Sequence, residues 1–312
     1  MSKIALFGAA GAIGNSIAAA LRANQQAYRV VGRSREALQR DFGSDPQAEI
    51  VTWNPDDPAS VISAAQGIDT IIYLVGVPYD HFELHPQLMR KTLDGAIAAG
   101  VPRLLLIGTV YPYGLAQTNP VREDHPRNPH TFKGRMRKEQ EDLLLAADAG
   151  GKIRGAVLRL PDFYGPGVDK SFLHMIFVAA ARGTRAQVIG PIDTPHEYVF
   201  VPDAGPVVAR LIDNSAAYGR CWHLAGAGTI TTREVANRAF ALTGHKPRML
   251  VAGKTTLRLM GLFNPLMREM VEMNYLQTSP IVLDDSALRG LLGEIKKTPY
   301  AEGTRQCVEA VR

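Results

Sequence analysis

The stretch "KIALFGAAGAIG" at residues 3–14 sets a short apolar run directly before three glycines at every third position. Each glycine weakens a helix or strand, so a backbone requirement must explain all three. An apolar strand, a glycine turn and an amphipathic helix, in this order, are typical of a dinucleotide site. We therefore predict that a cofactor diphosphate lies at the helix start, held by Gly8, Ala10, Gly11, Ala12, Ile13 and Gly14. The alternative is a glycine-rich turn without a ligand.

Apolar strand patterns alternate with helical patterns through the first half of the chain. We predict strands at 3–7, 28–32, 48–53, 69–75, 103–109 and 154–160, and helices at 13–23, 58–66, 85–99 and 132–148. Nearly continuous apolar strands separated by helices indicate a parallel sheet that is covered on both faces. The predicted fold is α/β, a doubly wound parallel sheet.

The pattern changes after residue 160. We predict a dinucleotide-binding domain at residues 1–165 and a smaller, substrate-facing part at residues 166–312, interleaved because the segment at about 196–225 returns to the sheet. Helical spacing extends over residues 255–274. The Met-rich stretch within it, residues 257–273, is expected to pack in the core, with a pocket wall or a dimer face as alternatives.

Composition excludes several kinds of protein. The 312 residues include 35 Lys and Arg against 30 Asp and Glu, a surplus that does not by itself imply nucleic acid. Cys221 and Cys307 form neither a disulfide framework nor a metal cluster, and no apolar run reaches the length of a membrane span. Because "MSKIALFG" also lacks the zones of a signal peptide, we expect a soluble cytoplasmic protein. Its expected partner is a small-molecule substrate, with no metal, nucleic acid or membrane.

The second predicted strand ends in "RSR" at residues 33–35. An acidic residue at this place usually holds the ribose of NAD. Here Arg33 and Arg35 can instead neutralise a 2′-phosphate, and Ser34 can donate a hydrogen bond to it. We predict that NADP(H) is preferred over NAD(H). The alternative is a pair of exposed loop arginines.

Further motifs resemble those of the extended short-chain dehydrogenase/reductase superfamily, in its NAD(P)-dependent epimerase/dehydratase-like branch. "GAAGAIG" is similar to its G-x-x-G-x-x-G, "LLLIGTVYPYG" to its S-S-x-x-V-Y-G and "LRLPDFYGPG" to its R-P-x-N-V-Y-G-P-G. The resemblance covers nearly the whole chain and implies a Rossmann fold. It also implies that Thr109 hydrogen-bonds the substrate oxygen, and that further cofactor contacts come from Asn54, Leu74, Val75, Gly76 and Pro161.

The catalytic pair departs from this resemblance. The family uses Y-x-x-x-K as its catalytic pair. Alignment on Glu141 places Lys133 at the position of the family's tyrosine and Arg137 at the position of its lysine. Lys133 can itself donate a proton or an electrophilic hydrogen bond, as a lysine does in the similar isoflavone-reductase-like branch. Alternatively, Tyr111, Tyr113 or Tyr164 supplies the phenol from a loop, although each tyrosine is expected first to pack in the core. The remaining alternative is that Lys133 only binds cofactor or solvent.

The leading hypothesis is an NADP(H)-dependent oxidoreductase that acts on a carbonyl or activated double bond of a small organic substrate. Its alternatives are a sugar-nucleotide epimerase/dehydratase and a non-catalytic NADP(H)-binding sensor or partner-binding protein. The resemblance also implies a homodimer through the helices at 85–99 and 132–148, with a monomer as the alternative.

Overall fold

The computed structural model describes residues 3–312, apart from the side chains of Pro265 and Leu266. Its strands are β1 (Ile4–Phe7), β2 (Tyr28–Gly32), β3 (Ala48–Thr52), β4 (Thr70–Tyr73), β5 (Arg103–Thr109), β6 (Arg154–Leu160), β7 (Asp162–Tyr164), β8 (Ala186–Ile189), β9 (His196–Phe200), β10 (Arg220–His223), β11 (Thr229–Ile230) and β12 (Met249–Ala252). Its helices are α1 (Ala12–Ala23), α2 (Arg35–Phe42), α3 (Pro58–Ala65), α4 (Leu84–Ala98), α5 (Phe132–Ala149), α6 (His174–Arg182), α7 (Val201–Ile212), α8 (Thr232–Leu242), α9 (Lys254–Met260), α10 (Pro265–Met273), α11 (Tyr275–Thr278), α12 (Ser286–Leu292) and α13 (Tyr300–Ala310).

The central sheet orders its strands β3, β2, β1, β4, β5, β6 and β10, and neighbouring strands run parallel. The winding direction reverses beside β1, which lies between β2 and β4. In such sheets ligands bind outside the carboxyl ends of the strands at this reversal. The predicted doubly wound α/β fold is confirmed.

Both faces of the sheet are covered, which explains the nearly continuous apolar strands. In β1, Ile4 and Leu6 point to one buried cluster, which includes residues of α1 and α7. Ala5 and Phe7 point to the other, which includes residues of α3 and α4. Every side chain of β1 therefore lies in a core.

The six strands predicted for the first half and their four helices are present within about two residues of the predicted ends. Helix α2 was missed because only Leu38 and Phe42 are buried on it, a weak apolar pattern in a polar segment. The single helix expected over 255–274 was wrong. Helix α9 ends at Met260. Asn264 then caps α10 by accepting a hydrogen bond from the Met267 N–H at 3.4 Å.

Part of the second half packs into the first. Strand β10 extends the central sheet beside β6, and α7 lies against α1. The Ser16 hydroxyl donates to the Val201 carbonyl at 2.8 Å, and the Gly205 N–H donates to Ser16 Oγ at 3.1 Å. This contact requires a glycine, because a Cβ at Gly205 would lie 2.1 Å from the Ser16 carbonyl oxygen. The proposed domain boundary at residue 165 stays a prediction.

Candidate cofactor and active site

The predicted site residues follow the carboxyl ends of the central strands. Because parallel strands end at one edge of a sheet, these positions share that edge. They are Gly8 after β1, Arg33 after β2, Asn54 after β3, Leu74 after β4, Thr109 at the end of β5 and Pro161 after β6.

The three glycines after β1 have different structural reasons. Gly8 has φ +85°, and a Cβ there would lie 2.7 Å from the backbone of Val75. A Cβ at Gly14 would lie 2.1 Å from the carbonyl oxygen of Ala9. Gly11 is different: a Cβ there would meet no described atom within 4 Å. Packing of the protein itself explains Gly8 and Gly14, whereas Gly11 borders open space.

The start of α1 is left open to a ligand. Gly11 is its N-cap residue, no described side chain caps it, and its first turn contains no acidic residue. The N–H groups of Ala12, Ile13 and Gly14 therefore lack helical acceptors and carry the positive end of the helix dipole. These groups fit a cofactor diphosphate.

The basic side chains after β2 are free to meet an anion. Arg33 and Arg35 are exposed, and neither forms an ion pair with a described carboxylate. The Ser34 hydroxyl accepts a hydrogen bond from the Ala37 N–H at 3.1 Å and so caps α2. Its O–H remains able to donate, so the cap and a phosphate contact are compatible.

Asn54 and the loop after β4 lie at the same edge of the central sheet. Asn54 is exposed, and its Oδ1 accepts from the Asp56 N–H at 3.0 Å, which leaves its amide NH₂ for a ligand. Leu74 and Val75 are half-buried, and a Cβ at Gly76 would meet no described atom within 4 Å. The loop after β4 therefore offers an apolar edge and a backbone open to close approach.

Lys133 is enclosed by two carboxylates. The side chain is 1% exposed, and its Nζ lies 2.7 Å from Glu272 Oε2 and also contacts Glu269. The Lys133 backbone N–H donates to Glu272 Oε1 at 3.1 Å. Its Nζ also lies 5.0 Å from the ring centroid of Tyr79. Helix α10 thus covers the start of α5, and its carboxylates neutralise the buried ammonium.

Arg137 joins α5 to β5. Its Nη2 donates to the Ile107 carbonyl at 3.2 Å, and its Nη1 lies 3.2 Å from Nδ1 of His85. Burial first, and the guanidinium second, lower the pKa of His85 to about 2, so the neutral ring accepts this hydrogen bond. Two of the Arg137 nitrogens are therefore engaged by the protein itself.

Thr109 and Tyr111 lie together at the end of β5. The Thr109 Oγ1 accepts from the Tyr111 N–H at 3.3 Å and keeps its own proton to donate. Burial, followed by the charge of Asp162, raises the pKa of Tyr111. The raised pKa favours Tyr111 as a hydrogen-bond donor over a phenolate base. Asp162 itself is held by His196, whose Nε2 lies 2.8 Å from Oδ2 of Asp162.

Tyr164 occupies a different environment. It is 1% exposed, its ring lies 5.7 Å from that of Tyr300, and its hydroxyl has no hydrogen-bond partner among the described residues. Burial raises the pKa of this phenol. Its surroundings are those of a core side chain, and its catalytic role stays a prediction.

Comparison with known proteins places this site in a family. The sequence model of the NAD dependent epimerase/dehydratase family matches residues 4–225. The chain belongs to that family. This match spans the glycine turn, the "RSR" segment, Thr109 and Lys133, and ends just after β10.

Curated relatives of this epimerase/dehydratase family member include dehydrogenases. The chain is 26% identical over 230 residues to dTDP-6-deoxy-L-talose 4-dehydrogenase (NAD(P)(+)) of Kitasatospora kifunensis, covering 69% of this chain and 71% of that protein. It is 27% identical over 148 residues to uronate dehydrogenase of Pseudomonas putida, covering 46% of this chain and 54% of that protein. It is also 29% identical over 175 residues to protein YeeZ of Escherichia coli, covering 54% of this chain and 61% of that protein.

Solved structures share the fold over the whole chain. The UDP-glucuronic acid 4-epimerase of Bacillus cereus, in complex with NAD, superposes with a TM-score of 0.81 at 13% identity and covers 99% of this chain and 98% of its own. DesIV, a dTDP-glucose 4,6-dehydratase of Streptomyces venezuelae, gives 0.82 at 17% identity and covers 99% and 96%. At these identities the likeness concerns the fold alone.

Sequence reasoning missed the two carboxylates on Lys133. Glu269 and Glu272 are the only acidic residues between Glu234 and Asp284, and they stand three residues apart. That spacing puts both on one helix face, which was the available signal. Only the fold shows that this face meets the start of α5.

Neither a metal cluster nor a membrane-spanning helix is found in the described part of the chain. Within residues 3–312, no group of three or more His, Cys, Asp or Glu side chains could hold a metal ion. Over the same residues, no helix combines the length and apolar character that crossing a bilayer requires.

Proposed function

We propose that this epimerase/dehydratase family member is an NADP(H)-dependent oxidoreductase that acts on a carbonyl or activated double bond of a small organic substrate. The observation that carries the proposal is the open helix start at Gly11 beside the unpaired arginines after β2. Two curated relatives that are named as dehydrogenases support net oxidation or reduction.

In this proposal the chain's own groups bind the diphosphate and the 2′-phosphate of the cofactor. The N–H groups at the start of α1 bind its diphosphate, since Gly11 leaves room there. Arg33 and Arg35 bind the 2′-phosphate through charge-assisted hydrogen bonds, and Ser34 adds a neutral one. When bound, the nicotinamide supplies or accepts a hydride.

Thr109 and Lys133 act on the substrate oxygen in this proposal. The Thr109 hydroxyl donates a hydrogen bond to it, and the Lys133 ammonium stabilises the negative charge that develops during reduction. A proton then moves from Nζ to that oxygen. The carboxylate of Glu272, about a quarter exposed, returns a proton from solvent to Nζ. In oxidation these transfers run in reverse.

Turnover of a carbonyl panel tests this function. The panel contains aldoses, uronates, deoxysugar nucleotides and simple ketones, and oxidation of NADPH is followed by its absorbance. We expect at least one substrate whose turnover is lost in Lys133→Met and kept in Lys138→Met. Lys138 is a suitable control because it lies on the same helix and pairs with Asp142 on the surface, at 2.6 Å. Full turnover in Lys133→Met would remove the assigned role.

A non-catalytic NADP(H)-binding sensor is the second candidate, and one observation favours it. Lys133 is fully buried and already engaged by Glu269 and Glu272, so the enzyme candidate requires α10 to move before a substrate oxygen contacts Nζ, whereas the sensor requires no such movement. Stopped-flow mixing of the NADPH-loaded protein with each member of the panel separates the two functions. A single turnover of bound NADPH supports the enzyme. Tight NADPH binding without any such turnover supports the sensor.

A further inference from the structure

The chain's excess positive charge is concentrated in one segment. Residues 245–268 contain five Lys and Arg and no Asp or Glu: Lys246, Arg248, Lys254, Arg258 and Arg268. The whole chain has 35 basic and 30 acidic residues, so the remainder contains 30 of each. Outside this segment the protein has balanced charge.

The same segment exposes large apolar side chains. It forms β12, α9 and the turn into α10. At the tip, Leu259 is 62% exposed, Met260 46%, Leu262 74% and Phe263 90%. Leu257 is buried at 1% and attaches α9 to the protein. The tip therefore presents adjacent apolar side chains on an anchored helical hairpin.

The basic side chains of residues 245–268 are not neutralised by the described part of the protein. All five are exposed, and none forms an ion pair with a carboxylate whose side chain the structure describes. An exposed arginine on α13 shows the contrast, because Arg305 contacts Glu302 and Glu309, both at 2.6 Å. The positive charges of residues 245–268 thus remain available to an external partner.

We propose that residues 245–268 bind an anionic membrane surface. Leu262 and Phe263 enter the interface between headgroups and acyl chains, and the Lys and Arg side chains contact lipid phosphates and carboxylates. This interaction lies in the plane of the interface and requires no spanning helix. It revises the expectation that a membrane is not a partner. It is independent of the proposed redox function.

A second copy of the chain fits this surface less well. A two-fold symmetric contact brings the same patch of both copies together, so five unpaired positive charges would face five others. Like charges that a symmetric contact brings together repel each other. An acidic lipid surface instead matches both features of the tip, its charge and its apolar side chains.

Co-sedimentation with vesicles tests the proposal. We expect the wild-type protein to bind vesicles of phosphatidylcholine and phosphatidylserine, to bind pure phosphatidylcholine weakly, and to lose affinity at high salt. Each basic residue near the surface contributes about fivefold, so Lys254→Gln with Arg258→Gln should weaken binding about thirtyfold. Phe263→Ser should weaken it by a similar factor.

Matched variants elsewhere serve as controls. Leu115, 53% exposed, is replaced by Ser, and the exposed Lys152 and Lys170 are replaced together by Gln, which gives the same loss of charge. We expect both control proteins to bind as the wild type does. Equal binding by tip variants and controls, or no binding of the wild type to anionic vesicles, would overturn the proposal. So would sedimentation velocity showing a dimer that Phe263→Ser dissociates in the absence of lipid.

Discussion

The ammonium nitrogen of Lys133 lies 2.7 Å from Oε2 of Glu272, 139 residues further along the chain. This contact joins the start of α5 to α10 in the second half. In the proposed function, Lys133 and Glu272, already hydrogen-bonded to each other, take the place of the catalytic tyrosine that the resemblance implies at this position. A relay of this kind can transfer a proton without a phenolate.

Replacement of Lys133 by Met should separate catalysis from cofactor binding. Removal of a general acid typically lowers turnover about 10²- to 10⁴-fold, while the distant diphosphate contacts remain, so kcat should fall and the Kd for NADPH should stay within about threefold. Steady-state kinetics and calorimetry measure the two quantities. Lys138→Met should leave both at wild-type values. A parallel loss of NADPH affinity in Lys133→Met would instead make Lys133 a cofactor ligand.

Alanine at two of the glycines should have opposite consequences. In Gly14→Ala the new Cβ would lie 2.1 Å from the Ala9 carbonyl oxygen, and overpacking of this kind costs about 1–3 kcal/mol in the free energy of unfolding. In Gly11→Ala the Cβ meets no described atom within 4 Å and the backbone is extended, so this free energy should change by less than about 1 kcal/mol. The added methyl group nevertheless occupies the space assigned to the diphosphate.

Urea denaturation and NADPH titration of both proteins measure this contrast. We expect Gly11→Ala to fold like the wild type and to bind NADPH at least about tenfold more weakly, a loss of about 1.4 kcal/mol. Unchanged NADPH affinity in a folded Gly11→Ala protein would place the diphosphate elsewhere.

A buried carboxyl should make stability depend on pH. Burial raises the pKa of Glu197 from 4.5 to about 7, against the opposing effects of the Leu283 N–H and Lys297. Because the folded state holds this proton more tightly, its stabilising contribution is complete below pH 4.5 and is lost as pH rises through about 7. At about 1.4 kcal/mol per pKa unit, the contribution is about 3 kcal/mol.

The variant Glu197→Gln removes this ionisation and keeps the shape of the side chain. Its free energy of unfolding minus that of the wild type should increase by about 3 kcal/mol between pH 4.5 and pH 8. Burial lowers the pKa of His223 to about 4, which gives an opposite slope. That slope is common to both proteins and cancels in the difference. A difference that stays constant with pH would show that Glu197 does not ionise in this range.

The sequence predicted the central sheet well because its strands are buried on both faces and therefore read as apolar runs. Helix α2 was missed because Leu38 and Phe42 alone mark its buried face. The glycine turn was recognisable because Gly8 and Gly14 meet backbone requirements that only glycine satisfies. Local patterns therefore sufficed wherever the constraint itself was local.

The environment of Lys133 could not be predicted in the same way. Its partners lie on α10, which is separated from α9 by a turn that begins at Gly261. The helical spacing over 255–274 gave no sign of this turn. The packing of Tyr164 against Tyr300 is also a long-range contact. Such contacts depend on how distant elements meet, which no local pattern encodes.

Calorimetric titration of the wild-type protein with NADPH and with NADH addresses the cofactor assignment. Hydrogen bonds to charged groups contribute about 1.5–3 kcal/mol each, so NADPH should bind at least about tenfold more tightly than NADH. Replacement of Arg33 and Arg35 by Ala should abolish this difference in affinity, because it should weaken the binding of NADPH and leave that of NADH unchanged. Arg40→Ala, which lies on α2 with Arg35 and pairs with Asp41 at 2.9 Å, should preserve it. Binding of neither cofactor, or tighter binding of NADH, would contradict the account.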